Sequence, residues 1–247
     1  MLKEERHNYI LHLISLYNKV HSNTLSKKLN VSEDTIRRDL KELAENGFVK
    51  KVHGGAMANP HITSAQINPT RNEELLIIAN KAKEFIKNDE VIILDGNPVN
   101  LVLVDLLPRD LNALVFTNSL VIATKLCEFQ NLEVIFLGGK IIHKSLVSAG
   151  LEVINYLKDI HADLCLIEAP SIHPDVGITG GDREIALTKK AFIDASRNVI
   201  ALCLSGAISR IQPFKIDDIL KVQTLITEIN QPNDTLQIFI NKGIKVV

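Results

Sequence analysis

The sequence contains no tryptophan, and aromatic residues make up only 4% of its 247 residues. A folded core must therefore be built mainly from Ile, Leu, Val and Ala side chains. No apolar run reaches the roughly 18–20 residues that a membrane-spanning helix needs, and Lys19 interrupts the apolar part of the N-terminal segment. With 46% hydrophobic and 23% charged residues, the composition is typical of a globular chain. We expect a cytoplasmic protein with no membrane partner.

Cysteine is also scarce. The three cysteines, Cys127, Cys165 and Cys203, are far apart and include no Cys-x-x-Cys pair. This spacing excludes a standard zinc knuckle and argues against a disulfide framework. Because Cys165 and Cys203 lie within apolar runs, we interpret both as buried structural thiols. We expect no metal and no other cofactor.

The chain lacks an overall positive charge, since its formal net charge is −1. The distribution is nevertheless uneven. Residues 1–60 hold 10 Lys and Arg against 7 Asp and Glu, whereas the remainder holds 18 against 22. A basic N-terminal part on an acidic remainder is typical of a protein in which only one domain meets phosphate groups.

Helical spacing predicts three short helices in the first sixty residues. The third has a capping residue at its start, Ser32, and an apolar stripe formed by Ile36, Leu40 and Leu43. Gly47 marks the end of this helix. The next segment, FVKKVHGGAMA, alternates apolar and basic residues around a Gly-Gly pair and predicts a hairpin.

Two helices separated by a tight turn and followed by a basic hairpin predict a winged helix-turn-helix. In such a unit the second helix of the motif enters the DNA major groove. The predicted contacts on this helix are Ser32, Asp34, Thr35, Arg37 and Arg38. On the hairpin, or wing, they are Lys50, Lys51, His53, Gly54 and Gly55. The alternative is that the two arginines form only a solvated helix face. The helix-turn-helix spacing, the basic wing and the charge asymmetry together favour DNA.

The chain is predicted to have two domains. We assign residues 1–57 to the DNA-binding domain, 58–72 to a linker with two Asn-Pro pairs, and 73–247 to a second domain. The second domain alternates helical segments with seven apolar strands, which predicts an α/β fold with a largely parallel sheet. The predicted strands are EVIILD, ALVFT, LEVIFLG, ADLCLIE, NVIALCL, VQTLITE and GIKVV.

Residues 31–56, VSEDTIRRDLKELAENGFVKKVHGGA, resemble the signature of the DeoR-type transcriptional regulators. Later segments such as FTNSL, FLGGKI and GITGGDREIALTKKAFIDAS fall in that family's order. The resemblance implies an N-terminal winged helix and an effector-sensing domain related to the ribose-phosphate isomerase and coenzyme A-transferase fold. It also implies that operator DNA is the partner and that the sensor domain binds a small effector, in this family usually a phosphorylated sugar or sugar-like metabolite.

Candidate effector-binding residues follow from this resemblance and from the polar residues after the first strand of the second domain. The complete set is Asp95, Asn97, Asn100, Thr117, Asn118, Ser119, Gly138, Gly139, Glu184 and Lys189. Each also has a structural interpretation. Asp95, Asn118 and Ser119 could cap helices, and the Gly-Gly pair could be only a tight turn.

Two departures from the family pattern concern phosphate binding. Where the family commonly has Asp-x-Gly-Thr-Thr, residues 95–99 read Asp-Gly-Asn-Pro-Val, so both hydroxyls are absent and Pro98 also lacks an amide donor. Where the family tends to have Asp-x-Ser-Lys, residues 204–207 read Leu-Ser-Gly-Ala. We therefore expect weak or absent binding of simple sugar phosphates and a less charged effector.

The sequence predicts a DNA-binding transcriptional regulator, a repressor of a carbohydrate-related operon that responds to a small metabolite. It is not expected to be an enzyme. The alternatives are an isomerase-like or transferase-like enzyme, or a regulator whose second domain serves only oligomerisation. Because two half-sites usually give specific DNA binding, we expect a homo-oligomer, a dimer or a tetramer.

Overall fold

The computed structural model describes residues 3–17, 19–45, 48–58, 69–230 and 233–247. The chain divides into two compact units, Met1–Glu73 and Glu74–Val247. The linker predicted over residues 58–72 falls mainly on 59–68, which lie outside the described residues, as does Gly47. Both remain predictions. Within the described ranges, no helix is long and apolar enough to cross a membrane.

The N-terminal unit is a winged helix. Its elements are the helices α1 (Lys3–Tyr17), α2 (Ser22–Leu29) and α3 (Glu33–Glu45), and the strands β1 (Lys19–His21), β2 (Val49–Val52) and β3 (Gly55–Ala58). The strands form an antiparallel sheet in the order β1-β3-β2. The predicted hairpin is therefore β2–β3, and β1 is a third strand that the sequence pattern did not reveal.

Helix α3 forms as the sequence predicts. The backbone amide of Thr35 donates to Ser32 Oγ at 3.1 Å, so Ser32 satisfies one of the unpaired amides of the first turn. Ile36, Leu40 and Leu43 are buried, and they pack with Ile10 of α1 in the core of this unit. Because this stripe faces inward, Arg37 and Arg38 between its members are left to solvent.

From Pro69 onward the chain is an α/β unit. Its helices are α4 (Pro69–Lys83), α5 (Pro98–Leu106), α6 (Leu120–Leu126), α7 (Leu151–Leu157), α8 (Arg183–Asp194) and α9 (Asp234–Asn241). Its strands are β4 (Val91–Leu94), β5 (Ala113–Thr117), β6 (Leu132–Phe136), β7 (Lys140–Ile142), β8 (Val147–Ala149), β9 (Ala162–Glu168), β10 (Ser171–His173), β11 (Gly177–Gly180), β12 (Ser196–Leu202), β13 (Phe214–Asp217), β14 (Thr224–Ile226) and β15 (Lys245–Val246).

All seven predicted strands belong to one parallel sheet in the order β15-β14-β12-β9-β4-β5-β6. The fold class predicted from the sequence is confirmed. The central strands carry few polar residues because helices cover both faces of such a sheet. Cys165 and Cys203 lie in this core, where burial raises the pKa of both thiols. Both are buried structural thiols, as expected.

Three neighbouring strands bring polar residues to one edge of the sheet. Strand β4 lies between β9 and β5, and Leu94 pairs with both Leu166 and Thr117. Asp95 follows β4, Asn118 follows β5, and Glu168 ends β9. The carboxyl ends of parallel strands meet at one edge, which is where such folds bind ligands. Two small antiparallel pieces, the β7–β8 hairpin and the β10-β11-β13 sheet, supplement the main sheet.

Candidate nucleic-acid interface and sensor pocket

The two arginines of α3 are exposed to solvent. Their side chains are 66% exposed at Arg37 and 81% at Arg38. Among the described residues, each pairs with a carboxylate one turn earlier: Arg37 Nη2 lies 3.3 Å from Glu33 Oε2, and Arg38 Nη2 lies 2.7 Å from Asp34 Oδ2. Exposed pairs of this spacing contribute only about 0.3–0.5 kcal/mol. Both guanidinium groups can therefore leave their carboxylates for a base edge or a phosphate.

The other predicted contacts of α3 lie at its start. Ser32 and Asp34 are exposed, and Thr35 is partly exposed. Thr35 Oγ1 and Ser32 Oγ are 2.9 Å apart. These side chains therefore share the solvent-facing beginning of the helix with the arginines.

Asp39 is the one charged residue of α3 that is buried. Its side chain is 4% exposed, and it accepts hydrogen bonds at Oδ2 from Arg6 Nε at 2.5 Å and at Oδ1 from Arg6 Nη2 at 3.1 Å. His7 Nε2 lies 3.1 Å from Asp39 Oδ1. Burial tends to raise the pKa of Asp39, but the hydrogen bonds from Arg6 and His7 outweigh it, so this pKa is lower than usual. The carboxylate therefore connects α3 to α1.

The predicted wing is a tight hairpin with two lysines on its surface. Lys50 and Lys51 are exposed on β2, and His53 is exposed in the turn. Gly54 has φ +76°, a conformation that glycine adopts without strain. A Cβ on Gly55 would lie 1.9 Å from the carbonyl oxygen of Val20 in β1. The two glycines thus serve the backbone of the wing, whereas the lysines and the histidine supply its exposed side chains.

A cavity of about 300 Å³ lies at the carboxyl edge of the parallel sheet. Three of the predicted effector residues line it, namely Asp95, Asn118 and Lys189. Further lining residues are Gly96, Ser145, Glu168, Gly180, Gly181 and Asp182, together with apolar side chains from β8, α8 and β13. We call this cavity the sensor pocket.

A buried ion pair lies in the sensor pocket. Lys189 Nζ donates to Asp95 Oδ2, and both side chains are 4% exposed. The same ammonium group donates to the main-chain oxygen of Glu168 at 3.0 Å and lies 3.9 Å from its Oε2. Asp95 also accepts from the amide of Glu168 at 3.1 Å. Asp95 is therefore an ion-pair partner that joins β4, β9 and α8.

Asn97 and Asn100 do not line the pocket. Their side chains form hydrogen bonds that hold the main chain around Asp95 in place. Asn97 is the N-cap of α5, and its Oδ1 accepts from the amide of Asn100 at 2.9 Å. Asn100 Nδ2 donates to the main-chain oxygens of Asp95 and Leu166, each at 2.9 Å. Asn97, and not Asp95, therefore caps α5, and the Asp95 carboxylate pairs with Lys189.

The three residues of the Thr-Asn-Ser sequence at the end of β5 make different hydrogen bonds. Asn118 Oδ1 accepts from the amide of Gly96 at 2.9 Å, and Asn118 Nδ2 donates to Ser148 O at 2.8 Å. Ser119 caps α6 by accepting from the amide of Ile122 at 3.3 Å. The hydroxyl of Thr117 is buried and accepts from the amide of Ser119 at 3.2 Å. Of the three, only Asn118 lines the pocket.

The remaining predicted residues lie near the pocket without lining it. Glu184 Oε2 accepts from Lys140 Nζ at 2.6 Å, and this hydrogen bond raises the pKa of Lys140. Gly138 and Gly139 precede β7, and Gly139 has φ +153°. The turn before α8, Gly180 to Asp182, was not among the predicted residues, although the Gly-Gly-Asp sequence before a helix was a readable signal. Across the described residues, no three His, Cys, Asp or Glu side chains are grouped so as to hold a metal.

Comparison with known proteins agrees with both parts of this structure. Residues 6–61 match the family model described as the DeoR-like helix-turn-helix domain, and residues 71–229 match the DeoR C terminal sensor domain. The chain belongs to the DeoR family. The family identified from residues 31–56 is thereby confirmed, and this DeoR-family chain is a DNA-binding transcriptional regulator.

Individual relatives extend over nearly the whole chain. The DeoR-family chain is 33% identical over 240 residues to the HTH-type transcriptional regulator GolR of Listeria innocua, covering 96% of this chain and 94% of that one. It is 26% identical over 253 residues to the Glycerol-3-phosphate regulon repressor of Escherichia coli, covering 100% and 99%. Among solved structures, ribose 5-phosphate isomerase A from Methanocaldococcus jannaschii is similar over 55% of this chain and 54% of that one, with a TM-score of 0.41 and 11% identity.

Proposed function

We propose that this regulator is a repressor of a carbohydrate-related operon. It binds operator DNA through α3 and the β2–β3 wing, and it releases the operator when a small molecule enters the sensor pocket. The E. coli relative is named the Glycerol-3-phosphate regulon repressor, which supports the sign of regulation and the class of operon. The observation that carries the proposal is the pair of exposed arginines on α3, each paired with an exposed carboxylate.

The arrangement suits two kinds of DNA contact. Arginine presents a fork of donors that fits a guanine edge or a phosphate, and the start of a recognition helix is the part that meets base edges. The lysines of the wing are flexible point charges that suit backbone phosphates. The regulator acts as a dimer or a tetramer, because one winged helix contacts one half-site of an operator.

Alanine at Arg37 or Arg38 should weaken binding to operator DNA more than binding to random DNA. A bidentate base contact supplies about 1–3 kcal/mol of discrimination, so at least one of the two variants should lose specificity by that amount. Fluorescence anisotropy with the two DNAs measures both affinities. Lys41→Ala is the matched control, since Lys41 is exposed near the other end of α3 and pairs with Glu45. Equal losses on both DNAs for both arginine variants would remove α3 from base recognition.

Lys51→Ala should weaken binding to every DNA sequence by a similar factor and should reduce its salt dependence. Each phosphate contact contributes about 0.9 to the slope of log affinity against log salt concentration, because binding releases counterions. A salt titration of the wild type and the variant gives the two slopes. Lys125→Ala, which removes a lysine from the sensor domain, should leave the slope unchanged. A wild-type slope in the Lys51→Ala variant would contradict a wing contact.

A further inference from the structure

We propose that the effector of the sensor pocket is an unphosphorylated, uncharged polyhydroxy compound, such as a free monosaccharide or an alditol. This inference rests on the proposed function, because it assumes that the pocket senses an effector. The charges and hydrogen-bonding groups of the pocket wall favour such a compound and exclude a sugar phosphate as the ligand.

The positive charge in the pocket is already used. Among the described lining residues, Lys189 is the only cation. Its ammonium group bonds the carboxylate of Asp95 and the main-chain oxygen of Glu168 within a nearly solvent-free environment. The ammonium group keeps one further N–H, but its charge is already balanced by the buried Asp95 carboxylate, so a phosphate bonded there would meet no uncompensated positive charge. Drawing the lysine away from Asp95 would leave that carboxylate buried without its partner, which is costly. Lys189 therefore holds the pocket together and does not serve an incoming anion.

The remaining charges repel a phosphate. Asp95, Glu168 and Asp182 line the pocket together with the single lysine, so the formal charge of the wall is negative. A dianion placed among these groups gains no net attraction and loses its hydration. The same carboxylates accept hydrogen bonds from hydroxyl groups, so a polyol meets favourable partners where a phosphate does not.

The N-termini of α8 and α5, the kind of position where such folds usually bind anions, carry their own capping groups. At α8, Asp182 Oδ1 accepts from the amide of Ile185 at 2.9 Å and places a carboxylate where an anion would bind. At α5, the side chain of Asn97 takes the amide of Asn100, and Pro98 at the first turn has no amide hydrogen. Both helices thus present their own capping groups at the positions that a phosphate needs.

The rest of the wall suits a small polyol. The volume of about 300 Å³ is at the small end of the usual range for ligand sites. Val147, Ile185 and Ile216 line it with apolar surface, which can contact the C–H groups of a sugar. The Ser145 hydroxyl lines the pocket, is buried, and has no hydrogen-bond partner in the structure. A ligand hydroxyl would complete its hydrogen bonding.

Calorimetry with matched pairs tests the inference. The full-length protein is titrated with a panel of free hexoses, pentoses and alditols and with the phosphate ester of each. We expect one parent compound to bind at least about tenfold more tightly than its own ester, which is a difference of about 1.4 kcal/mol. The same compound should release operator DNA in an anisotropy assay. Asp182→Ser keeps a capping hydroxyl and removes one negative charge, so it should narrow the difference between parent and ester.

Three outcomes would overturn the inference. They are tighter binding of a phosphate ester than of its parent, operator release by esters alone, and no binding of any parent compound at millimolar concentration while operator binding is intact. Failure of the proposed function would give a different result. A protein that does not distinguish operator from random DNA contradicts the proposed role in operator binding, whatever the pocket binds. Calorimetry measures ligand binding and anisotropy measures DNA specificity, so the two failures are distinguishable.

Discussion

Methionine at Lys189 should destabilise the sensor domain by about 3–5 kcal/mol, the usual cost of removing one partner from a buried ion pair. The loss arises because Asp95 would remain charged, buried and without its ammonium partner. Urea unfolding of the full-length protein measures the effect as a lower midpoint for the sensor domain. Lys125→Met is the matched control: Lys125 pairs with Asp105 at the surface, and its removal should cost less than about 1 kcal/mol.

A second substitution separates the lost charge pair from lost packing. In the double variant Asp95→Asn, Lys189→Met no charge is left buried, so most of the lost stability should return. If Lys189→Met alone is as stable as the wild type, the ion pair is not buried in solution as the structure has it. That result would also weaken the argument that Lys189 is unavailable to an anion.

Alanine at Asp39 should abolish operator binding without touching a DNA contact. Asp39 joins α3 to α1 through Arg6 and His7, and removing it leaves the largely buried guanidinium of Arg6 without its carboxylate. We expect a loss of about 3 kcal/mol, a large fraction of the stability of so small a domain. Hydrogen exchange of the α3 amides reports the loosening, and anisotropy reports the lost binding. Glu45→Ala, which removes an exposed carboxylate from the same helix, should change neither.

The pH dependence of this contact has a definite sign. Because the pKa of Asp39 is lowered in the folded protein, its contribution is present above the ordinary carboxyl pKa of about 4. The contribution is lost as the pH falls through the lower, folded value. Between pH 6 and 8 the wild-type winged helix should show no loss from this source. Unfolding that begins near neutral pH and is absent in Asp39→Asn would contradict the assignment.

The fold was largely predictable because each main element carries its own pattern. The seven parallel strands are near-continuous apolar runs, and every one of them was found. The strands that the sequence did not predict are short pieces such as β1 and β7, each of three residues. A segment of three residues has too few alternating positions to show a period, and its pairing depends on a partner elsewhere in the chain.

The candidate site was less predictable because its geometry depends on distant pairs. Residue type and strand position brought Asp95, Asn118 and Lys189 into the predicted set, and all three line the pocket. Nothing in the sequence indicates that Lys189 bonds Asp95, since 94 residues separate them. The hydrogen bonds by which Asn97 and Asn100 hold the main chain at Asp95 could not be predicted either, because a side-chain amide near a strand end can bond a ligand or its own backbone.

Strand β1 joins the wing to the helices of the N-terminal unit, and we expect this connection to affect how the unit fits DNA. The chain passes from His21 at the end of β1 directly into α2 at Ser22. The amide of Ser22 donates to Gly54 O, in the turn of the wing, at 2.8 Å. The turn of the wing is thus joined by a main-chain hydrogen bond to the start of α2, the helix before α3. We expect a unit connected in this way to bind best to duplexes whose grooves reach the matching width at little energetic cost. Base pairs that no side chain touches would influence occupancy through their flexibility alone.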